Sequence, residues 1–166
     1  MNNPFSKLRS KEWLSFFLTA LFVIALDQVT KILILRNIEQ GHSIEIIPGL
    51  FNLVLAYNLG AAFGMLADLQ DGVRQLVLAG TTFLALMVVF YFLLFEYAGS
   101  RVGRIALAMI FGGALGNIID RIRLGMVVDF LDLYVGERHW PAFNVADSSI
   151  CIAVFLLLFQ RPRRSN

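Results

Sequence analysis

The chain has 166 residues, 58% hydrophobic and 16% charged, with a net charge of +2 and a mean hydropathy of +0.71. Soluble domains carry about 25% charged residues, so the composition excludes an ordinary soluble enzyme, and the small net charge gives no electrostatic footprint for nucleic acid. A lone cysteine, Cys151, excludes an internal disulfide, and with His42 and His139 as the other soft ligands no zinc centre, and no cofactor, is expected.

Four apolar segments approach the ~20 residues that a spanning helix needs: about 13–35, 73–95, 102–122 and 142–159. Lys7, Arg9 and Lys11 before the first resemble a signal-peptide flank. The apolar run continues past Asp27 and Lys31 to Leu35 without a small-x-small site, so it reads as a retained helix. Basic residues mark the inside. They precede segment 1, join segments 2 and 3 (Arg101, Arg104) and follow segment 4 (Arg161, Arg163, Arg164). Both termini are expected in the cytoplasm, with 36–72 and 123–141 outside. Arg121 and Arg123 break the rule and are expected to have a carboxylate partner.

In the first outer segment, Ser43–Ile47 and Phe51–Tyr57 flank a Pro48-Gly49 turn and read as two strands. Asn58 to Leu66 follows, small and apolar, a short helix at the interface around Phe63. The expected architecture is a membrane all-α fold. One domain, 1–166, comprises a four-transmembrane-helix bundle with a small extracytoplasmic β-sheet cradle and a short interfacial helix.

Carboxylates at the edge of membrane-grade sequence are costly and point to function. Asp129 lies between Val128 and Phe130 with no helix start to explain it. Asp147 follows Asn144 by three, the spacing of an N-cap and an acidic third residue, so it divides between cap and catalyst. Together they suggest a pair sharing one proton, the chemistry of an aspartic protease, with Asp147 ionised at rest because a helix N-terminus favours the anion. Asp132 is expected to face water or an arginine. Gly112, Gly113 and Gly116 permit close helix approach; Asn117 and Arg121 share a face, with Asp120 holding Arg121. Asp27 and Lys31, four apart, can pair, either bracing the bundle or meeting a lipid headgroup. His139 near Ser148 has nothing to orient it as a base, and Cys151 reads as core. A proton-coupled transporter or channel is the rival reading, weakened by the lack of an inverted repeat.

Five segments in order carry a family resemblance: Asp27-Gln28-Val29-Thr30-Lys31, Tyr57 to Gly64, Gly116 to Arg121, Val128-Asp129-Phe130 and Phe143 to Ser148. The chain resembles the bacterial lipoprotein signal peptidases (type II signal peptidases), intramembrane aspartic proteases. The resemblance implies catalytic Asp129 and Asp147, with Asp27, Lys31, Asn58, Gly60, Asn117, Asp120, Arg121 and Asn144 supporting them or binding substrate. It implies removal of the signal peptide from prolipoproteins, cut before a diacylglyceryl-modified cysteine. The site would lie near the outer face of the bacterial inner membrane. Membrane lipids and globomycin-type inhibitors are the other implied partners, and a monomer is expected.

Overall fold

The computed structural model describes residues 10–60 and 69–160. The chain runs α1 (Ser10–Asn37), β1 (Ser43–Ile47), β2 (Phe51–Asn58), α2 (Asp71–Tyr91) with a π-helical turn Phe92–Glu96, α3 (Arg101–Leu124), β3 (Val127–Val135), β4 (Arg138–His139) and α4 (Val145–Leu158). Three helical stretches are long and apolar enough to cross a membrane, while α4 is a shorter apolar helix. At 14 residues and 1.5 Å per residue, α4 is about 21 Å long. It begins later than the sequence suggests because Asn144 caps it: the side chain accepts a hydrogen bond from the Asp147 amide. The expected interfacial helix around Phe63 lies outside the described residues.

The bundle encloses both an apolar core and a buried polar cluster, and its outer surface is apolar. On α1, Phe16, Ala20, Val23, Asp27, Lys31 and Ile34 face inward, while Phe17, Leu21, Phe22 and Val29 are exposed. A soluble helix would carry polar residues on that exposed face. Cys151 is exposed on α4, so its assignment to the core was wrong; in a lipid-facing helix, apolar neighbours do not distinguish inside from outside.

Helix α3 is the centre of the bundle, packed on α1 and α4 through its glycines. A Cβ at Gly112 would lie 2.6 Å from the Ala20 carbonyl oxygen, and one at Gly113 2.6 Å from that of Ala146. Gly113→Ala should therefore push α4 away at the turn that carries Asp147 and destabilise the fold by about 1–3 kcal/mol. Gly80→Ala on α2, where a Cβ meets nothing within 4 Å, should be neutral or stabilising. Thermal unfolding of both variants in detergent checks this; equal shifts would discount the packing argument.

At one end of the bundle lies an antiparallel sheet in the order β1-β2-β3-β4. Two strands are as expected. The second outer segment, 123–141, for which no strand was expected, contains β3 and β4. Leu55 of β2 and Val128 and Phe130 of β3 pack on Ile34 of α1 and on Ile38 just past its end, seating the sheet on the end of that helix. Between β2 and β3 the pairing shifts from Leu53↔Leu131 to Ala56↔Asp129, so β2 holds one extra residue, a β-bulge.

Candidate active site

Asp129 comes from β3 and Asp147 from the first turn of α4, and two asparagines join them. Asn144 Nδ2 donates to Asp129 Oδ1 at 2.7 Å, and its Oδ1 accepts from the Asp147 amide at 2.9 Å. Asn117 Nδ2 donates to Asp147 Oδ1 at 2.8 Å, while its Oδ1 accepts from Asn144 Nδ2 at 3.2 Å. From β2, Asn58 Nδ2 donates to Asp129 Oδ2 at 2.9 Å, and its Oδ1 accepts from the Gly60 amide at 2.8 Å. Gly60 has φ +89°, open to glycine at little cost, and that backbone shape lets its N–H point back at Asn58.

Beneath the pair lies a charged cage. Lys31 Nζ is 2.8 Å from Asp27 Oδ2, 2.8 Å from Asp120 Oδ2 and 3.0 Å from Asn117 Oδ1. Three ammonium protons thus meet three acceptors. Lys31 and Asp120 are 1% exposed and Asp27 is 0% exposed; charges so buried persist only when paired. The cage also fixes the Asn117 amide, because the oxygen that faces Lys31 leaves Nδ2 for Asp147.

Asp129 lies on β3, outside the spanning helices, and is 2% exposed. Burial raises its carboxyl pKa from 3.8 to about 6; the amide of Asn58 opposes the shift, the charge of Asp147 adds to it, and Asn144 and Lys31 oppose it. A raised carboxyl pKa stabilises the fold below the unfolded value, and that contribution is lost as pH rises through the folded value. The wild type should lose about 2 kcal/mol from this group between pH 4 and pH 7, a loss that Asp129→Asn removes. Unfolding temperatures of the two proteins across that range test it; parallel curves would show that Asp129 ionises freely.

Other expectations need correcting. Asp120 does not hold Arg121: adjacent helical residues point about 100° apart, and Asp120 turns inward to Lys31, Gln28 and the Val128 amide. Arg121 instead lines an apolar crevice of about 390 Å³ between α2 and α3, with Leu78, Thr82 and Ile118. Its Nε is buried without a hydrogen-bond partner among the described residues. Arg123 reaches the amide oxygen of Gln28 at 3.3 Å, not a carboxylate. Asp132 faces neither water nor arginine; it is 6% exposed, accepts from Asn52 Nδ2 at 3.1 Å and lies 2.9 Å from His139 Nδ1. His139 is thus oriented, but by a structural contact, and Ser148 Oγ is spent on the Asn144 carbonyl. Gln28 was missed as an individual residue; its place beside Asp27 in the first matched motif was the available signal. Among the described residues, no cluster of three or more His, Cys, Asp or Glu could hold a metal.

The family model described as Signal peptidase (SPase) II matches residues 19–161. A lipoprotein signal peptidase of Sulfurihydrogenibium sp. (strain YO3AOP1) is 44% identical, over 93% of this chain and 98% of that one. One from Ralstonia nicotianae (strain ATCC BAA-1114 / GMI1000) is 50% identical, over 85% and 80%. A solved bacterial membrane enzyme, obtained by the in meso method, is 37% identical with a TM-score of 0.76, over 86% of this chain and 89% of that one. A polar amide bridge between two aspartates, built on these matched motifs within an apolar bundle, accompanies a match over most of the sequence: the chain belongs to the signal peptidase II family.

Proposed function

We propose that the protein is an intramembrane aspartic endopeptidase that removes signal peptides from prolipoproteins, cutting immediately before a diacylglyceryl-modified cysteine. The observation that carries this reading is the amide bridge: Asn144 touches both Asp129 and the backbone of Asp147, and Asn117 closes the loop to the Asp147 carboxylate. Two carboxyl groups held this way can share one proton. Asp147, at the electropositive start of α4, is the ionised member and takes a proton from water. Asp129, whose pKa stands near 6, carries the shared proton and gives it to the scissile carbonyl oxygen. The water oxygen bonds to the carbonyl carbon, forming a neutral gem-diol; the C–N bond then breaks as Asp147 passes the proton it took from water to the departing nitrogen and Asp129 recovers a proton from the diol, leaving a carboxylic acid and an amine with the dyad restored.

Arg121 supports the substrate side of the reading. A buried guanidinium nitrogen without a partner, at the wall of an apolar crevice, suits a peptide carbonyl that arrives with a lipid-soluble chain. The positive-inside pattern supports cytoplasmic termini, which puts the sheet and both aspartates at the outer face. A substrate signal helix would then enter sideways from the bilayer and be cut at its outer end. Purified enzyme with a chelator present should cut a diacylglyceryl-modified precursor at one bond, before the modified cysteine, as read by product mass. Equal cutting of the unmodified precursor, or cutting elsewhere, would overturn the assignment.

A further inference from the structure

The two carboxylates of the charged cage do more than neutralise Lys31. Asp27 Oδ1 accepts from the amide of Ala146 at 2.9 Å, the residue before Asp147. Asp120 Oδ2 accepts from the amide of Val128 at 3.1 Å, the residue before Asp129. Each cage carboxylate therefore grips the backbone one residue ahead of one member of the pair. The distance between Asp27 and Asp120 is transmitted to the distance between Asp129 and Asp147.

Gln28 spans those two carboxylates. Its Nε2 lies 3.2 Å from Asp27 Oδ2, 3.0 Å from Asp120 Oδ1 and 3.1 Å from the Gly116 carbonyl oxygen. A side-chain amide can face either way, and turned over it would present an oxygen to two carboxylates. Arg123 decides the matter by donating from Nη1 to Gln28 Oε1 at 3.3 Å.

We propose that Gln28, oriented by Arg123, is a positioning residue that sets the separation of Asp129 and Asp147 through the Asp27 and Asp120 clamps. The inference rests on reading that pair as the catalytic dyad. The test is steady-state cleavage of diacylglyceryl-modified prolipoprotein by wild type, Gln28→Leu, Arg123→Gln, Arg123→Lys and the Gln28→Leu/Arg123→Gln double variant, with unfolding temperatures alongside. Small misplacements of reacting groups cost on the order of 10²-fold, so Gln28→Leu should lower kcat by about 10–100-fold with KM within about twofold. Arg123→Gln should lose several-fold in kcat, and Arg123→Lys should recover most of it. The double variant should be no slower than Gln28→Leu, because both act through one contact.

A merely structural role would lower the unfolding temperature and leave kcat of the folded enzyme unchanged. Wild-type kcat in Gln28→Leu, a loss in KM alone, or multiplied effects in the double variant would overturn the proposal. If Gln28→Leu does not fold, Arg123→Gln decides alone, since its side chain is exposed: wild-type kcat there overturns it. Undiminished cleavage by Asp147→Asn would instead sink the dyad reading itself.

Discussion

Asp147→Asn should abolish cleavage, with a rate at least about 10³-fold below wild type, while the protein remains folded. General acid–base catalysis by a positioned group contributes about 10²–10⁴-fold, and in the proposed mechanism the variant removes the base that activates water. The fold should survive because asparagine keeps the Oδ1 that accepts from Asn117 Nδ2, and the Asn144 contact is made by the backbone amide. Asp129→Asn should be equally inactive for a different reason: the shared proton has no second carboxylate on which to reside. Its local geometry is less tolerant, because Asn58 and Asn144 both donate to Asp129 and a new amide group must face one donor with another. Cleavage assays with a chelator, paired with unfolding curves, separate the effects. Near-normal turnover by either folded variant would end the shared-proton mechanism.

Lys31→Met should be the most destabilising single change in the chain. Removing one partner from a buried ion pair costs about 3–5 kcal/mol, and here two carboxylates lose the same cation. Asp27 and Asp120 would face each other buried, with Gln28 as their remaining shared donor. Asn117 would also lose the contact that holds its amide toward Asp147. Adding Asp120→Asn should recover part of the stability and little of the activity. Unfolding in detergent measures the first and cleavage the second; a Lys31→Met protein that unfolds at the wild-type temperature would mean that Asp27 and Asp120 are not both charged.

Helix positions, the first two strands and the Asn144 cap were legible because each depends on local pattern. Asn144 and Asp147 are three apart, the spacing of a capping side chain and the amide it accepts from, and Asp27 and Lys31 are four apart, a spacing that brings side chains together within one helix. Strand β3 was not legible. Val127 to Phe130 are all buried, so the strand begins with both faces covered and lacks the alternation that marks a half-exposed strand. Asp132 was misread for a related reason: its partner Asn52 is 80 residues away, and no local spacing encodes that contact. Arg121 was assigned to Asp120 because they are neighbours in sequence, whereas a helix separates neighbours and joins residues a turn apart. The motifs named the residues that the structure brings together, but the cage beneath them is a tertiary contact between α1 and α3.

The bulge in β2 solves a problem of odd and even. Asn52 and Asn58 are six residues apart, so on a regular strand they would share one face. Their partners on β3, Asp132 and Asp129, are three apart and must point to opposite faces. No regular pairing can match an even interval to an odd one. The single extra residue between Leu53 and Ala56 changes the parity, so one asparagine reaches the structural aspartate and the other the aspartate of the bridged pair. Deleting Val54 should therefore straighten the strand without turning either asparagine: the interval falls to five, odd like that between Asp132 and Asp129, and Asn58 keeps the face beside Asp129.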